Sequence, residues 1–444
     1  MTSRRRRIAF VAGATVIFLA GLGAGLGVTA LQDALEGEHG LVLAARVAQL
    51  FPQVIDIQGD NGIPSAADLK PLSTYWEVRE QVKQNFVHAL DEEEEKQLTY
   101  GAVRGMLAAL KDPYTRFMAP DEYGDFQSET KGQFDGIGAV LKPELDEKTG
   151  AMKIIVLTLI EGGPAADTDL KPGDQIVAVD GESVAKLNIA QVAKRIRGKR
   201  GTEVVITVLR EGQEEPLDIS VTRARVNIPW GEYRMLEGDI GYIWLKQFDR
   251  QAEERMRQAV EELQKQGMRG LVLDLTGNHG GLLDMAIKVA SIFVGGDSIV
   301  WIEERGREAR PLPADGEPIG TDLPMVVLIS ATSASAAEIL AGAIQDLDRG
   351  TIVGQKSFGK AKVQTVIPLN DGSALAITTA NYLTPGKHSV DPDGITPDET
   401  IPLPDEVEDP MELHDQQLEA AIGIMERKLA TVAGPPSAPA EAGE

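Results

Sequence analysis

The sequence predicts an α/β protein: a core built on a largely parallel central sheet, preceded by a small β-rich module and a helical N-terminal region. Three patterns carry this. From Ile240 onward strand-like and helix-like segments alternate, the pattern of a parallel sheet with crossover helices. Between Gly132 and Arg225 short strand-like runs are separated by turn signals. From Leu72 to Tyr123 apolar residues recur at helical spacing.

In chain order, Val78, Val82 and Phe86 sit four apart, and Leu98, Val103, Met106, Leu107 and Leu110 repeat the helical period until Asp112-Pro113 stops it. The β-rich module has runs at Ile154–Leu159, Ile176–Val179 and Val204–Leu209, turns at Pro172-Gly173-Asp174 and Asp180-Gly181, and one helix pattern over Ile189–Ile196. The core begins with a strand at Ile240–Leu245 and a helix over Ala252–Gln266. A strand at Leu271–Leu275 with a helix over 282–293 follows, then a strand at Met325–Ile329 with a helix over 336–347. Strands at Thr351–Val353, Val363–Pro368 and Ala374–Ala380 complete it, the last two joined by Asn370-Asp371-Gly372. From Asp405 the chain is acidic and ends in a Pro/Ala/Gly/Glu-rich stretch, Gly434 to Glu444, which reads as disordered, while the acidic tail as a whole reads as a solubilising end or as an oligomerisation or docking segment. The expected divisions are 1–30, 31–71 (a connector), 72–131 (helical), 132–225 (β-rich), 226–404 (α/β core) and 405–444 (acidic tail).

Composition removes several function classes. The 444 residues carry 44 Lys+Arg against 68 Asp+Glu, a net charge of −24. Such a chain repels phosphate, which argues against nucleic acid as a partner. With no cysteine there are no disulfides, thiolate nucleophiles or thiolate-bound zinc. His39, His88, His279, His388 and His414 have no metal-ligand spacing, so neither a metal nor another cofactor is expected.

Arg4 to Arg7 precede 23 uncharged residues, Ile8 to Ala30. As a helix these span about 35 Å, enough for a hydrocarbon core of ~30 Å. The cations favour insertion with the C-terminal side outward. The segment reads as a membrane anchor or as a signal peptide, with Val28-Thr29-Ala30 as a cleavage site. Either reading sends the remainder to the extracytoplasmic (periplasmic) side.

The chemistry-bearing segments each have a plain structural alternative. Ser335 lies between an apolar strand and a helix, where free N–H groups and the helix dipole suit a nucleophile and its oxyanion. Ser335-x-x-Glu338 is equally a capping box. The base is either His279, in the Gly-rich loop after Leu271–Leu275, or Lys360, which needs a depressed pKa to act. Gln364 stands four residues on, where a hydrogen bond would orient the Lys360 amine. Both are also readable as surface residues beside a strand.

Gly354-x-x-x-x-Gly359-Lys360 nearly matches a phosphate-binding loop, but Ala361 stands where Ser or Thr is needed and a strand follows. Ser183-x-x-Lys186 lacks its companion motifs, and Asp391-x-Asp393-Gly394 is too short for a calcium loop. Gly136-Ile137-Gly138-Ala139 precedes a strand and offers successive N–H groups to a peptide carboxylate, or is simply a turn.

Taken together, these motifs resemble the C-terminal processing peptidases, carboxyl-terminal serine proteases with a PDZ domain. The resemblance runs from about Leu72 to Pro402. It rests on Asp112-Pro113-Tyr114-Thr115-Arg116-Phe117, Gln133 to Ala139, Glu161 to Ala166 and Leu170 to Ile176. It continues through Ser333 to Glu338, Ser357-Phe358-Gly359-Lys360 and Val363-Gln364-Thr365-Val366. It implies a ClpP/crotonase-like core with an inserted PDZ domain. By motif position it implies Ser335 as nucleophile, Lys360 as base and Gln364 as the residue orienting the lysine. The backbone N–H groups of Gly281 and Ala336 would form the oxyanion hole. It also implies protein substrates with apolar C-termini held at Gly136, Ile137, Gly138 and Ala139, a homo-oligomer, and regulation by the PDZ domain or an adaptor. One departure is visible: the family's Leu-Asp-Leu-Arg-x-Asn-Pro-Gly-Gly loop has Thr276 for the arginine and His279 for the proline here. A catalytically inactive PDZ scaffold is the rival reading from another class.

Overall fold

The computed structural model describes residues 70–145, 152–213, 215–296, 298–402 and 410–432. The anchor or signal segment at 8–30 and the connector up to residue 69 lie outside the described residues. Among those described, no helix is long and apolar enough to cross a membrane. The described residues divide into two compact units, one ending at Leu98 and the other starting at Thr99.

In the first unit, helix α1 (Lys70–Asn85) is followed by the start of α2 (Glu92–Ala108). Asp91 opens α2 with a reciprocal cap: it accepts the Glu94 N–H at 2.8 Å while Glu94 accepts its own N–H at 2.9 Å. Glu95 takes hydrogen bonds from Arg79 and Lys83. The helical spacing is real, but Val78 and Phe86 remain half exposed.

The second unit opens with the end of α2, where Tyr100 and Leu107 pack on Phe117. Strand β1 (Arg116–Met118) and helix α3 (Pro120–Thr130) lead to β2 (Gln133–Gly136). The β-rich module then runs through β3 (Ala139–Leu145), β4 (Met152–Leu159), β5 (Gln175–Val179), β6 (Glu182–Ser183), helix α4 (Ile189–Ile196), β7 (Glu203–Leu209) and β8 (Leu217–Thr222). β9 (Ala224–Asn227) returns antiparallel beside β2, so the chain enters and leaves the module side by side. The strand order is β3-β4-β5-β7-β8, with β6 on β5. Val156, Val192, Val204, Ile206 and Val208 are fully buried in its separate core.

The remaining elements are β10 (Gly231–Leu236), β11 (Ile240–Leu245), α5 (Ala252–Lys265), β12 (Gly270–Asp274), α6 (Leu283–Ser291), β13 (Ser298–Glu304) and β14 (Arg310–Pro313). After them come β15 (Met325–Ile329), α7 (Ala336–Asp346), β16 (Thr351–Gly354), β17 (Lys362–Pro368), β18 (Ala374–Leu383), β19 (Glu399–Thr400) and α8 (Pro410–Val432). The central sheet is β10-β11-β12-β15-β16-β19. Only β10 is antiparallel. β12 and β15 at its centre are buried along their whole length because both faces are covered. Met325, Val327 and Ile329 join the core with α5, α6 and α7, while Val326 and Leu328 face α8.

Two expectations need correction. The hairpin β17–β18 belongs to a second sheet, antiparallel throughout and ordered β1-β18-β13-β14 with β17 also on β18. Periodicity identifies strands but not the sheet they join. The acidic tail is also not merely solubilising: over α8 it buries Leu418, Ala421, Ile424, Met425 and Leu429 against the central sheet. The acidic residues outside that stripe masked its helical period. Residues 433–444 lie outside the described residues.

Candidate active site

The site forms where β15 ends. After Ile329, buried Ser333 anchors the turn: its Oγ donates to the Leu275 carbonyl at 2.8 Å and accepts the Ser330 N–H at 2.9 Å. Ser335 then adopts φ 56°, ψ −111°, a conformation costing a non-glycine residue about 1–3 kcal/mol. It is held on both sides. Its N–H donates to Glu338 at 2.7 Å, and the Tyr382 hydroxyl lies 3.1 Å from its carbonyl and 2.9 Å from that of Lys360. The Ser335 side chain makes no cap hydrogen bond, so only the Glu338 half of the expected capping box forms.

Glu338 is almost wholly buried. One carboxylate oxygen accepts from Ser357 Oγ and the Gly359 N–H, both at 2.6 Å, and the other accepts the Lys360 N–H at 3.0 Å. Sequence reasoning gave this residue a cap and nothing more. The available signal was an acid in a helix whose other residues from Ala336 to Ile344 are all apolar. The same bonds dispose of the phosphate-loop resemblance, because the Gly359 and Lys360 N–H groups are already used.

Lys360 and Ser335 border one cleft of about 450 Å3. Burial lowers the Lys360 pKa from its ordinary value, and the Arg116 cation lowers it further, against the charges of Glu338 and Asp112. Its Nζ lies 4.7 Å from the Tyr114 ring centroid. It makes no hydrogen bond to Ser335 or Gln364 among the described residues. Such contacts are often long in an unliganded site and tighten with substrate. Gln364 also lines the cleft, where β17 has a register shift, and its Nε2 is buried without a partner. Tyr382 carries no motif signal, Tyr114 stands out only as a member of the 112–117 block, and the fold brings both here.

The Gly-rich loop forms the opposite wall. Asn278 ties it down: Nδ2 donates to the Leu245 carbonyl, Oδ1 accepts the Gly280 N–H, and its carbonyl accepts the Ala334 N–H. Gly280 has φ +102°, and a Cβ there would stand 2.9 Å from the Ser335 Cβ, so the loop can lie against the serine only as glycine. Among the described residues, neither the Gly281 nor the Ala336 N–H donates within the protein, and both residues border the cleft. Two free donors beside a serine are what an oxyanion requires. His279 is exposed in the same cleft, its Nδ1 3.2 Å from the Thr332 carbonyl. Among the described residues no carboxylate pairs with it and no group of acids and histidines is arranged to hold a metal.

In the β-rich module the Ile137 and Gly138 carbonyls accept from Ala165 and Ile160, both at 2.8 Å. Their own N–H groups have no partner among the described residues. The loop opens beside the edge strand β3. An edge strand and a loop of free N–H groups suit an added peptide strand ending in a carboxylate.

Known proteins agree with this arrangement. A model of peptidase family S41 matches residues 239–401, a PDZ domain model residues 155–210, and a model of the activating protease CtpB N-terminal domain residues 59–122. A carboxyl-terminal-processing protease of Synechocystis sp. is 37% identical over 310 residues, covering 69% of this chain and 71% of that protein. A carboxy-terminal-processing protease of Bartonella bacilliformis is 36% identical over 345 residues, 76% of each chain. A solved structure from Bacteroides fragilis NCTC 9343, assigned to the S41 proteases, shares the fold at 15% identity, with a TM-score of 0.51 over 79% of this chain and 97% of that one. Fold and cleft define a serine protease with a PDZ domain for peptide C-termini. The chain belongs to peptidase family S41, among the carboxyl-terminal-processing proteases.

Proposed function

We propose that this protease cleaves extracytoplasmic proteins whose apolar C-termini are first held by Gly136, Ile137, Gly138 and Ala139. The observation that carries the reading is the pairing, in one cleft, of a clamped Ser335 with a Lys360 whose burial favours the neutral amine. Neutral Lys360 takes the Ser335 proton as Oγ attacks the scissile carbonyl. The Gly281 and Ala336 N–H groups receive the oxyanion. Lys360 then returns the proton to the departing amine, and water releases the acyl group. Gln364, with an unpaired amide nitrogen in the cleft wall, orients the lysine as substrate draws it away from Tyr114. The arginine run and uncharged segment at 8–30 support tethering at the inner membrane with the protease outside. The match to the N-terminal domain of an activating protease supports control by a partner protein. Assembly as a homo-oligomer is part of the same proposal.

The purified protein, beside Ser335→Ala and Lys360→Ala, is incubated with an unfolded protein ending in an apolar tail, and products are followed by mass spectrometry. Cleavage by the parent alone is expected. Turnover surviving in a folded Lys360→Ala variant rejects the lysine as base, and His279→Ala then tests the histidine.

A further inference from the structure

Asp274 ends β12 with no exposed surface, and a carboxylate there must find its partners inside the protein. Oδ1 accepts the Thr276 N–H at 2.8 Å, and Oδ2 meets the Tyr242 hydroxyl at 2.9 Å and His414 Nε2 at 2.7 Å. His414 comes from α8, far along the chain. Its ring also stacks on Trp244, with centroids 4.6 Å apart and planes 26° apart. Trp244 in turn donates Nε1–H to the Thr276 carbonyl at 3.1 Å. Both main-chain polar groups of Thr276 are therefore held by side chains, and both of those side chains rest on His414.

Thr276 opens the loop that ends at Gly281. Two residues on, Asn278 joins that loop to Gly280 and to Ala334, the neighbour of Ser335. A shift at Thr276 thus reaches the Gly281 N–H through a short, fully bonded path.

We propose that His414 is a positioning residue for catalysis: from the C-terminal helix it sets, through Asp274 and Trp244, the loop that presents the Gly281 N–H to the oxyanion. This rests on the reading of Ser335 as nucleophile and Gly281 as oxyanion donor.

The charge state of His414 matters to this support. The hydrogen bond to Asp274 raises its pKa from the ordinary 6.5, and that effect outweighs burial. The other groups facing it are Asp415, 3.6 Å from Nδ1, and the Tyr242 hydroxyl. Lys246 lies over the Trp244 ring at 4.1 Å. Behind them, Arg234 covers Tyr242 and pairs with Glu232. The imidazolium answers Asp274 and points Nδ1–H toward Asp415. Once neutral, it turns a lone pair toward Asp415, and Nδ1 has no hydrogen-bond partner to compensate. The pair is strongest below the raised pKa and weakens as pH rises through it. Loss of the His414 proton should then add an alkaline limb that lowers turnover, opposing the rise that comes as Lys360 loses its own.

The test uses the full chain with His414→Leu, His414→Gln and Ser335→Ala, and measures kcat and KM on a peptide substrate across pH, with melting curves to verify folding. The expected result is a kcat lowered by about 10-fold or more in His414→Leu, short of the ~10²–10³ seen when an oxyanion donor is removed outright, with KM unchanged. His414→Gln, a neutral donor, should recover part of kcat and lose the alkaline limb. Unchanged kcat and pH profile in a folded His414→Leu variant overturn the proposal. Should both variants fail to fold, the parent still decides. The alkaline limb of kcat must coincide with the titration of the His414 ring, followed by NMR on histidine-labelled protein, and separation of the two overturns the proposal. Turnover persisting in Ser335→Ala would instead remove the reading of the cleft. Ser335-dependent turnover indifferent to His414 removes only the positioning role.

Discussion

Glu338 grips Lys360 by its main chain: the carboxylate accepts the Lys360 N–H at 3.0 Å, while the amine lies elsewhere, 4.7 Å from the Tyr114 ring. With the Ser335 N–H at 2.7 Å on the same oxygen, one buried acid fixes the spacing of the Ser335 turn and the Lys360 loop without holding either side chain. Glu338→Gln puts an amide NH2 against donors that need an acceptor. At about 1–3 kcal/mol for each buried donor left unpaired, we expect a loss of roughly 2–5 kcal/mol in denaturant unfolding. kcat should fall at least 10²-fold in protein that remains folded. Parent-like turnover would show that the spacing is set elsewhere.

The acid limb of kcat/KM should report Lys360 and lie below its ordinary 10.5, because burial and then Arg116 disfavour the cation. Arg116→Gln removes a like charge, so Lys360 keeps its proton to higher pH and the limb moves up. Asp112→Asn removes an opposing charge and moves it down. Arg116 is exposed, so added salt should shrink its shift by screening. Rate profiles in which both variants move the limb the same way would reject this account.

Much of this was legible because the signals are local. The apolar runs of β11 and β15 and the helix between Ala252 and Lys265 follow from periodicity alone. Ser335, Lys360 and the two glycines stand out by residue type beside predicted elements. What was hidden depends on partners distant in sequence. The second sheet pairs Arg116 with Ala376 and Trp301 with Leu383, and no local pattern encodes that. Glu338 read as a cap because its first bond is a cap, and its other three donors come from a loop some 20 residues on. His414 sat in an acidic tail with nothing beside it to suggest Asp274.

Gly280→Ala separates folding from chemistry. The added Cβ would stand 2.8 Å from the Ala334 carbonyl oxygen, 2.9 Å from the Ser335 Cβ and 3.0 Å from the Ala336 nitrogen, at a φ of +102°. Strain at such a position is worth about 1–3 kcal/mol, which a core this well buried should survive. The displaced atoms are those that place Ser335 and the Ala336 N–H. We expect a folded protein with kcat down about 10²-fold or more. The comparison is a melting curve beside single-turnover acylation, and near-parent acylation would mean the loop yields without moving the serine.

Helix α8 should be an integral part of the protease core and of nothing else. Met425 is fully buried against the central sheet, close enough that a Cβ on Gly270 would strike its sulfur. Met425→Ala opens a cavity there, and such truncations cost about 2–5 kcal/mol. The β-rich module shares none of this core: its buried residues, from Ile137 to Val221, form a closed cluster of their own. In calorimetry the transition of the α/β core should therefore fall by several degrees in Met425→Ala, while that of the PDZ module stays in place. Ile206→Ala should do the reverse, since Ile206 is fully buried within the module's own cluster. If either substitution moved both transitions equally, the two cores would melt as one, and the paired strands β2 and β9 would be a rigid coupling rather than a simple entry and exit.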